Sequence, residues 1–398
     1  MIPKSYITLQ GFGSISPLGA TPVEVNSAYL GAASRINFKS FKNLSAPAAA
    51  LFPATEEQIT ALQQENKMYK NLDRTVLLAM YAARQAIAQA GWQTENEIAV
   101  NIGSSRGATG LTEQYLEDFR TNPAQLSSQT SPTTTLGNIS SWVANDLQAE
   151  GPVISHSVTC STALQAIANG FAWLQSNMAM RFLAGAAEAP LTPFTVAQMQ
   201  AIGIYAKEPV HNYWCRPLNL EKHNTFVLGE GAALFALERQ PEHQLTPDSI
   251  VLEAIGFGFE KITSKTGISR EGLNFQKAIR NVIQQLPAND SNIDAVVLHA
   301  PGTAIGDAAE ITAIKSVFGE NIPLLTSNKL LIGHTLGASA ALSLEYAVWI
   351  LENQKFLKFP YPVFTLEQQN PKQIRRILLL AAGFGGNASA LIICKGNE

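Results

Sequence analysis

Residues 153–163 read VISHSVTCSTA, and residues 323–337, PLLTSNKLLIGHTLG, repeat the same organisation. Each stretch opens with a short apolar run typical of a buried strand and passes through one reactive side chain, Cys160 or His334. Each then leads directly into a segment with apolar or small residues on nearly every face, which predicts a buried helix. The repetition indicates that the chain contains two related halves.

Two further pairs of segments extend this repetition outward. Residues 6–13 and 250–258 are apolar runs that end in glycines, whereas residues 97–103 and 293–298 each lead into a loop of small residues. Strands that alternate with helices are typical of parallel sheets covered on both faces. The sequence therefore predicts an α/β fold of two similar halves that share an interface. Each half closes with a strand pair, 182–185 with 232–237 and 377–381 with 389–393.

A polar, proline-bearing stretch, QPEHQLTP at 240–247, predicts the connection between the halves. We expect an N-terminal half, residues 1–240, that carries Cys160. A C-terminal half, residues 248–398, would carry His299 and His334.

Composition limits the classes of protein that fit this chain. Of its 398 residues, 46% are apolar and 15% are charged, which predicts a large buried core and excludes a disordered chain. The net charge of −3 argues against a nucleic-acid-binding or membrane-binding footprint over the whole surface.

The compartment can also be predicted. The start, MIPK, lacks a basic stretch followed by an apolar core, and no run approaches about 18 uninterrupted apolar residues. Three cysteines cannot form a disulfide framework in so long a chain. We therefore expect a soluble, cytoplasmic protein with no membrane partner.

Cys160 is the candidate nucleophile. A thiol between a strand and a buried helix feels the positive end of that helix, which favours the thiolate. The helix dipole is worth about 0.3–1 kcal/mol, less than one pKa unit of about 1.36 kcal/mol, so a reactive Cys160 needs further help. The alternative is an inert buried cysteine. Cys215 and Cys394 are interpreted in that way.

His299 and His334 are the candidate partners of this nucleophile. His299 ends a predicted strand and meets a Pro-Gly-Thr loop, and loops at the carboxyl ends of parallel strands commonly hold active sites. Either histidine alone fits a structural role, but the equivalent placement of all three residues indicates catalysis. No closely spaced ligand pair predicts a metal site.

A glycine-rich segment, GFGG at 383–386, separates the last two predicted strands. Its glycines allow a sharp turn that presents backbone amides, as an oxyanion hole requires. The alternative is a plain glycine-rich hairpin, which spacing alone does not exclude.

The order of motifs resembles that of the β-ketoacyl-acyl-carrier-protein synthases, elongating condensing enzymes of the thiolase superfamily, over essentially the whole chain. The resemblance implies a thiolase-like fold with two similar halves in a layered α-β-α-β-α arrangement. The matching motifs are TCSTA at 159–163, AGAAEAP at 184–190, RP at 216–217, FVLGEG at 226–231, residues 299–310, SNK at 327–329, GH at 333–334 and GFGG at 383–386.

The resemblance also implies a two-step reaction. Cys160 would take an acyl group from a carrier-protein thioester. His299 and His334 would then assist decarboxylation of a malonyl thioester to an enolate that attacks the acyl-cysteine. Lys329 would support the histidines electrostatically. The backbone amides of Cys160 and Phe384 would form the oxyanion hole, and Phe384 would gate the acyl pocket.

Partners follow from the same resemblance. Thr303 would bind the phosphopantetheine arm, which arrives on the acyl carrier protein, so no resident cofactor is expected. Because carrier proteins are acidic, Lys67, Lys70 and Lys207 would attract them at the tunnel mouth; the alternative for these lysines is an ordinary solvated surface. A homodimer, or a heterodimer with a related ketosynthase-like subunit, would form through the sheet of the first half.

Several positions depart from the family pattern. Pro301 stands where a hydroxyl would bind the pantetheine arm, and Asn387 and Ala388 replace the usual Thr-Asn. HNTF at 223–226 replaces the usual Arg-Asp-Gly-Phe. Ser343 replaces the glutamate that usually accompanies the lysine, and Glu345 lies about 200° further round the helix, so we expect that Glu345 does not substitute.

These departures bear on function. They concern the malonyl half-reaction and the surroundings of Lys329 more than the acylation of Cys160, and they favour a polyene, pigment or other secondary pathway over housekeeping fatty-acid elongation. Two alternatives stay open. One is a thiolase-like enzyme that condenses acyl-coenzyme A esters, and the other is a non-catalytic, chain-length-type partner subunit of a ketosynthase heterodimer.

Overall fold

The computed structural model describes residues 4–93, 97–210, 212–261, 268–287, 290–364, 368 and 370–396. Within them the strands are β1 (Ser5–Ile15), β2 (Asn37–Phe41), β3 (Leu44–Ala49), β4 (Ile98–Gly103), β5 (Val153–His156), β6 (Arg181–Glu188), β7 (Leu228–Gly229), β8 (Gly231–Pro241), β9 (Ile250–Phe259), β10 (Ala295–Val297), β11 (Leu324–Thr326), β12 (Arg376–Gly383) and β13 (Asn387–Lys395).

The α-helices of the same residues are α1 (Pro22–Gly31), α2 (Pro53–Glu65), α3 (Arg74–Ala90), α4 (Thr109–Thr121), α5 (Thr130–Thr134), α6 (Asn138–Leu147), α7 (Thr162–Gln175), α8 (Pro193–Ala201), α9 (Leu273–Ile283), α10 (Ala304–Phe318), α11 (Lys329–Ile332) and α12 (Ser339–Asn353). None of the described helices is long and apolar enough to cross a membrane.

A ten-stranded mixed sheet runs through the protein in the order β11-β10-β12-β13-β9-β1-β8-β6-β4-β5. The two halves of the sheet are arranged alike on either side of the β1–β9 contact. Counted outward from it, the strands β1, β8, β6, β4 and β5 occupy the same places as β9, β13, β12, β10 and β11. At the contact, Ile7 pairs with Leu252 and Leu9 with Ile250. A small second sheet has the order β2-β3-β7. The repetition predicted from sequence is therefore present in the strand order.

The predicted parallel sheets are only partly correct. In each half the three outermost strands, β5-β4-β6 and β11-β10-β12, are parallel. The inner pairs are antiparallel, including β6 with β8 and β12 with β13. The three residues between β12 and β13 explain the difference there, because so short a connection can join only antiparallel strands.

The helices pack on the sheet in layers, and the apolar faces of each helix determine which layer it joins. α7 and α12 contribute to one core cluster together with strands of both halves. α3 and α6 cover the outer face of the first half, and α9 and α10 cover the outer face of the second. This is the α-β-α-β-α arrangement. From Ser339 to Leu351, every residue of α12 is buried, as its apolar and small side chains on all faces predict.

One helix boundary differs from the prediction. The sequence predicts that a helix begins at His334, but His334 precedes a 3₁₀ turn, Leu336–Ala338, and α12 begins only at Ser339. The backbone of His334 instead pairs with the segment around β7: its N–H donates to Val227 O at 2.7 Å, and its carbonyl accepts from Gly229 N–H at 3.1 Å. An extended pairing of this kind is incompatible with a helical start.

Candidate active site

A cavity of about 310 Å³ lies at the carboxyl ends of the parallel strands of both halves. Cys160, His299 and His334 all line it, as do Thr303 and Phe384. Cys160 follows β5, His299 follows β10, and His334 follows β11 and α11. Most of the remaining wall is apolar and includes Met199, Ile204, Phe226, Phe275 and Leu336. The structure thus brings the three predicted reactive side chains to one mostly apolar cavity.

The turn that presents Cys160 is tightly held. Thr159 has a φ of +51°, which is unusual for a β-branched residue and costs roughly 1–3 kcal/mol. The Thr162 hydroxyl accepts from Val158 N–H at 2.8 Å and donates to Thr159 O at 2.6 Å. Because one side chain closes the turn on both sides, Cys160 stands at a fixed elbow just before α7.

The protonation state of Cys160 differs from the expectation that the helix favours a thiolate. Burial, together with the charge of the nearby Glu188 carboxylate, raises the pKa of the Cys160 thiol to about 12. The charges of Lys329 and Arg106 act in the opposite direction but do not outweigh burial. Desolvation exceeds the effect of the helix terminus, so Cys160 rests as a neutral thiol.

Close backbone packing fixes the position of His334. Gly333 has a φ of +64°, and a Cβ there would lie 2.6 Å from Val227 O. Glycine is therefore required both for the left-handed conformation and for the approach. The motif FVLGEG contributes to the site through this contact, since β7 forms the other side of the His334 pairing.

The ring of His334 has a defined tautomer. Leu336 N–H donates to Nδ1 at 2.9 Å, so Nδ1 is the acceptor and the proton of the neutral ring is on Nε2. Burial and the charge of Lys329 lower the pKa of His334 to about 3. His334 is therefore neutral near pH 7 and keeps an N–H group for a hydrogen bond.

His299 is also neutral. Burial, Lys329 and His334 together hold its pKa well below the ordinary value. The two imidazole rings lie edge to face, with centroids 5.4 Å apart. Glu310 fixes the backbone before and after the ring, because it accepts from His299 N–H and from Ala300 N–H, both at 2.7 Å.

Lys329 lies behind the histidines and does not line the cavity. Its Nζ donates to Leu298 O at 3.1 Å, one residue before His299. Burial lowers the pKa of Lys329, while the buried Glu310 carboxylate raises it. Lys329 thus acts on the site through its charge, which lowers the pKa of both histidines.

The substitution at Ser343 and the nearby Glu345 both bear on the predicted surroundings of Lys329. Glu345 does not reach the lysine, as expected: its carboxylate accepts from the hydroxyls of Ser14 and Tyr29. The hydroxyl of Ser343 is buried without a hydrogen-bond partner in the described part of the chain. The acidic residues that act on Lys329 are Glu310 and Asp307 of α10 instead.

The loop that contains Thr303 is held by Asp307. This buried carboxylate accepts from Gly302 N–H and Thr303 N–H at 3.1 Å each, and from Leu218 N–H at 2.8 Å. Burial raises its pKa to about 7. Thr303 and Pro301 both line the cavity, so the predicted pantetheine-binding position and its main departure lie on the same wall.

The glycine-rich hairpin lies against the Cys160 turn. A Cβ at Gly383 would lie 1.8 Å from Thr159 Oγ1 and 3.1 Å from Cys160 N, so the two backbones can approach only because residue 383 is glycine. Phe384 is 42% exposed at the cavity wall. The amides of Cys160 and Phe384 remain the predicted oxyanion hole.

Asn387, one of the departures from the family pattern, joins these two segments. Its Nδ2 donates to Phe384 O at 3.2 Å, and its Oδ1 accepts from the hydroxyl of Ser161. One side chain therefore connects the predicted gate with the residue after Cys160. The substitution is visible in the sequence, but this contact is not.

The remaining predicted residues lie elsewhere. Lys67 and Lys70 are exposed on a 3₁₀ helix, Lys67–Asn71, and Lys207 is exposed in a loop; none lines the cavity. Cys215 is buried outside the cavity, and Cys394 faces Arg376 across the β12–β13 ladder. Across the described residues, no group of three or more histidine, cysteine or acidic side chains could hold a metal ion.

Three buried carboxylates of the site had no predicted role. Glu188, Asp307 and Glu310 each accept backbone N–H groups from segments that contain or adjoin a predicted site residue, namely the turn after His334, the Thr303 loop and His299 itself. The available signal was an acidic residue inside an apolar segment, as in AGAAEAP at 184–190, because a buried charge persists only where partners stabilise it.

Comparisons with known proteins agree with this geometry. Residues 43–243 match the family model "Beta-ketoacyl synthase, N-terminal domain", and residues 251–359 match "Beta-ketoacyl synthase, C-terminal domain". A "Putative polyketide beta-ketoacyl synthase 1" of Streptomyces halstedii is 28% identical over 359 residues, 83% of each chain.

Two further relatives cover nearly the whole chain. A 3-oxoacyl-acyl-carrier-protein synthase 2 of Staphylococcus aureus (strain COL) is 24% identical over 415 aligned positions, 99% of each chain. The solved structure named "The ishigamide ketosynthase/chain length factor" superposes with a TM-score of 0.82 and 19% identity, over 99% of this chain and 100% of that one.

Proposed function

Since this chain belongs to the β-ketoacyl synthase family, whose members are acyltransferase-type condensing enzymes, we propose that it catalyses the decarboxylative condensation of an acyl group held on Cys160 with malonyl-acyl-carrier protein. One observation carries the proposal: a partly buried thiol and two neutral imidazoles, one with its Nε2 proton fixed, line a single, mostly apolar cavity.

The first step is acyl transfer to Cys160. His334 offers only an N–H group, because Leu336 occupies its Nδ1 lone pair. His299 is the neutral imidazole with a lone pair available to accept the thiol proton. The sulfur attacks the thioester carbonyl, the bond to the carrier thiol breaks, and the proton ends on that departing thiol. Removal of the proton by a base is needed because burial keeps Cys160 protonated.

The second step is decarboxylation of the malonyl group. Its carbon–carbon bond to the carboxylate breaks, carbon dioxide leaves, and the electron pair forms an enolate. The enolate oxygen accepts hydrogen bonds from His334 Nε2–H and from the ring of His299. Neutral donors in a dry cavity stabilise such a charge more strongly than water-exposed donors would.

The third step forms the new carbon–carbon bond. The enolate carbon attacks the acyl-cysteine carbonyl, whose oxyanion accepts from the amides of Cys160 and Phe384. Collapse of this intermediate breaks the carbon–sulfur bond and gives β-ketoacyl-carrier protein. One proton taken up from solvent restores the Cys160 thiol. Covalent capture thereby divides a difficult condensation into easier steps.

The carrier protein is the proposed macromolecular partner. Its phosphopantetheine arm would enter along Thr303, so no resident cofactor is needed, and exposed Lys67, Lys70 and Lys207 would attract its acidic surface. Charge reversal at Lys67 and Lys70 should raise the Michaelis constant for carrier-bound substrate, and an unchanged constant would remove these lysines from the docking surface.

We further propose a cytoplasmic location, and a homodimer or a heterodimer with a ketosynthase-like subunit.

Pro301 motivates a second candidate function, that of a non-catalytic, chain-length-type partner subunit. Pro301 lines the cavity where the family has a hydroxyl, and the similar solved structure is named as a ketosynthase and chain length factor. Retention of Cys160, His299 and His334 favours the catalytic role. A thiolase-like enzyme using coenzyme A esters is disfavoured because neither Cys215 nor Cys394 lines the cavity.

Intact-protein mass spectrometry tests the proposal. The wild type and Cys160→Ala are incubated with acyl-carrier proteins that bear saturated, aryl or polyenyl primers of several lengths. We expect the acyl mass on the wild type only, and its discharge as a β-ketoacyl product when malonyl-carrier protein is added. The absence of acylation with every primer would favour the non-catalytic partner.

A further inference from the structure

Glu188 is a fully buried carboxylate that the proposed reaction does not use. It ends β6, is 0% exposed, and makes hydrogen bonds only to one hydroxyl and three backbone N–H groups within the described chain. A buried charge without a cationic partner is costly, and it persists where several donors face it in fixed positions. The positions of those donors therefore show which backbone segments the carboxylate fixes in place.

The four donors come from two loops, one in each half of the chain. Oε1 accepts from Ser104 Oγ and Arg106 N–H at 3.0 Å each. Oε2 accepts from Ser105 N–H at 2.7 Å and from Gly337 N–H at 2.9 Å. The first loop follows β4 and the second follows His334, so a single oxygen joins the two halves beside the cavity.

The contact with Gly337 bears directly on His334. Gly337 follows Leu336, whose N–H donates to His334 Nδ1. Leu336 has a φ of +45°, a strained conformation that persists only where neighbouring contacts hold it. Since Gly337 N–H is anchored on Glu188, the turn that presents Leu336 N–H to His334 is held at the next peptide along the chain.

We propose that Glu188 is a positioning residue that, through Gly337 and Leu336, keeps the proton of the His334 ring on Nε2, where it meets the forming enolate. The activity part of this proposal rests on the proposed function, but the tautomer part does not. The charge of Glu188 also lowers the thiolate fraction of Cys160, because it raises the pKa of that thiol.

Two variants separate these effects. Glu188→Gln removes the charge and turns an amide NH₂ towards donor groups, so it weakens the anchor as well. Gly337→Ala keeps the carboxylate but places a Cβ 2.6 Å from Glu188 Oε2 and 2.4 Å from Ser105 N, so it disturbs the contact between the turn and Glu188 without removing the charge. The charged groups that act on Cys160 are Glu188, Lys329 and Arg106, and the last two are unchanged in both variants.

The experiment combines three measurements on the full-length protein. The nitrogen shifts of ¹⁵N-histidine report the His334 tautomer, with His334→Asn used for assignment. Alkylation of Cys160 by iodoacetamide at pH 8 reports its thiolate fraction. Product formation from carrier-bound substrates reports condensation.

We expect Nε2–H at His334 in the wild type, a mixture of tautomers in both variants, and condensation at least tenfold slower in both. Alkylation should become severalfold faster in Glu188→Gln only. An unchanged tautomer in both variants, or Nδ1–H in the wild type, would overturn the proposal. Failure of both variants to fold would assign Glu188 to stability and overturn it too. Tautomer shifts without condensation by the wild type would contradict the proposed function alone.

Discussion

The tautomer of His334 is fixed by a local backbone contact and not by its place in the repeated sequence. The Nδ1 lone pair of His334 is occupied by Leu336 N–H, and both rings are neutral because burial and Lys329 lower their pKa values. The sequence predicted Cys160, His299 and His334 as a group, and the structure brings them to one cavity. The tautomer of His334 depends on the backbone N–H group of Leu336, which no side-chain pattern reveals.

Lys329→Met tests the electrostatic role of the buried lysine. Its charge lowers the pKa of Cys160, so its removal should raise that pKa and reduce the thiolate fraction at a given pH. We expect slower alkylation of Cys160 by iodoacetamide at pH 8, by about tenfold for each pKa unit, and condensation at least tenfold slower. Lys315→Met removes an exposed lysine of α10 and is the control. Equal alkylation rates in wild type and Lys329→Met would contradict this role.

Glu345→Gln tests a buried carboxylate outside the active site. Burial raises the pKa of Glu345 to about 7, so the folded protein binds this proton more tightly than the unfolded chain. The contribution of Glu345 to the free energy of unfolding therefore falls as the pH rises from about 4.5 to about 7, and it is constant above that pH. Glutamine keeps an acceptor for Ser14 and Tyr29 without the charge.

We expect Glu345→Gln to raise the free energy of unfolding at pH 8 by about 1–3 kcal/mol and to change it little at pH 5, measured by urea denaturation. Glu320→Gln, at an exposed position, is the control. A stabilisation that is equal at both pH values would show that Glu345 does not carry the raised pKa.

The elements that hold the site are glycine-dependent turns and carboxylate-anchored loops. The strand–Cys160–helix unit was predictable because apolar runs and a buried helix have a strong pattern. The start of α12 was not, because the pairing of His334 with Val227 and Gly229 joins segments more than 100 positions apart in the chain. Long-range backbone contacts of this kind leave no local signal in the sequence.

Gly333→Ala tests the turn before His334. Alanine would have to adopt a φ of +64° and place its Cβ 2.6 Å from Val227 O. We expect a loss of about 1–3 kcal/mol of stability from the backbone conformation alone, with a further loss from the clash, and condensation at least tenfold slower.

Gly91→Ala is the matched control, because Gly91 has a φ of +65° at the end of α3 with open space around it. It should lose stability from the backbone conformation alone and keep wild-type condensation. Stability is measured by thermal unfolding and activity by product formation. Equal losses of both in the two variants would show that the close approach of Gly333 to Val227 O is not what stability and activity depend on.

At the scale of the whole molecule, α12 lies between the two halves of the sheet and belongs to the core of both. Duplicated apolar runs predicted two halves and a shared interface, and the strand order on either side of the β1–β9 contact agrees with this. The division at residues 240–248 remains a prediction. Antiparallel pairing of β12 with β13 follows from their three-residue connection, but that of β6 with β8 could not be predicted, because strand direction there depends on which strands become neighbours.

Leu342→Ala tests whether this helix couples the halves. Leu342 is 0% exposed in α12, and truncation of a buried leucine costs about 2–5 kcal/mol. We expect hydrogen exchange to become faster in β6 and in β12 alike, measured by mass spectrometry of their peptides. Loss of protection in β12 only would contradict a shared core.

A single turnover of enzyme acylated on Cys160 tests whether this cavity catalyses decarboxylative condensation. Acyl-enzyme of the wild type and of His334→Asn is mixed with malonyl-carrier protein that bears ¹³C in its free carboxylate, and the released ¹³CO₂ and the product are measured together. We predict one equivalent each of ¹³CO₂ and β-ketoacyl-carrier protein from the wild type, and a persistent acyl-cysteine in His334→Asn. A wild-type acyl-enzyme that releases neither would contradict the assignment of this cavity to decarboxylative condensation.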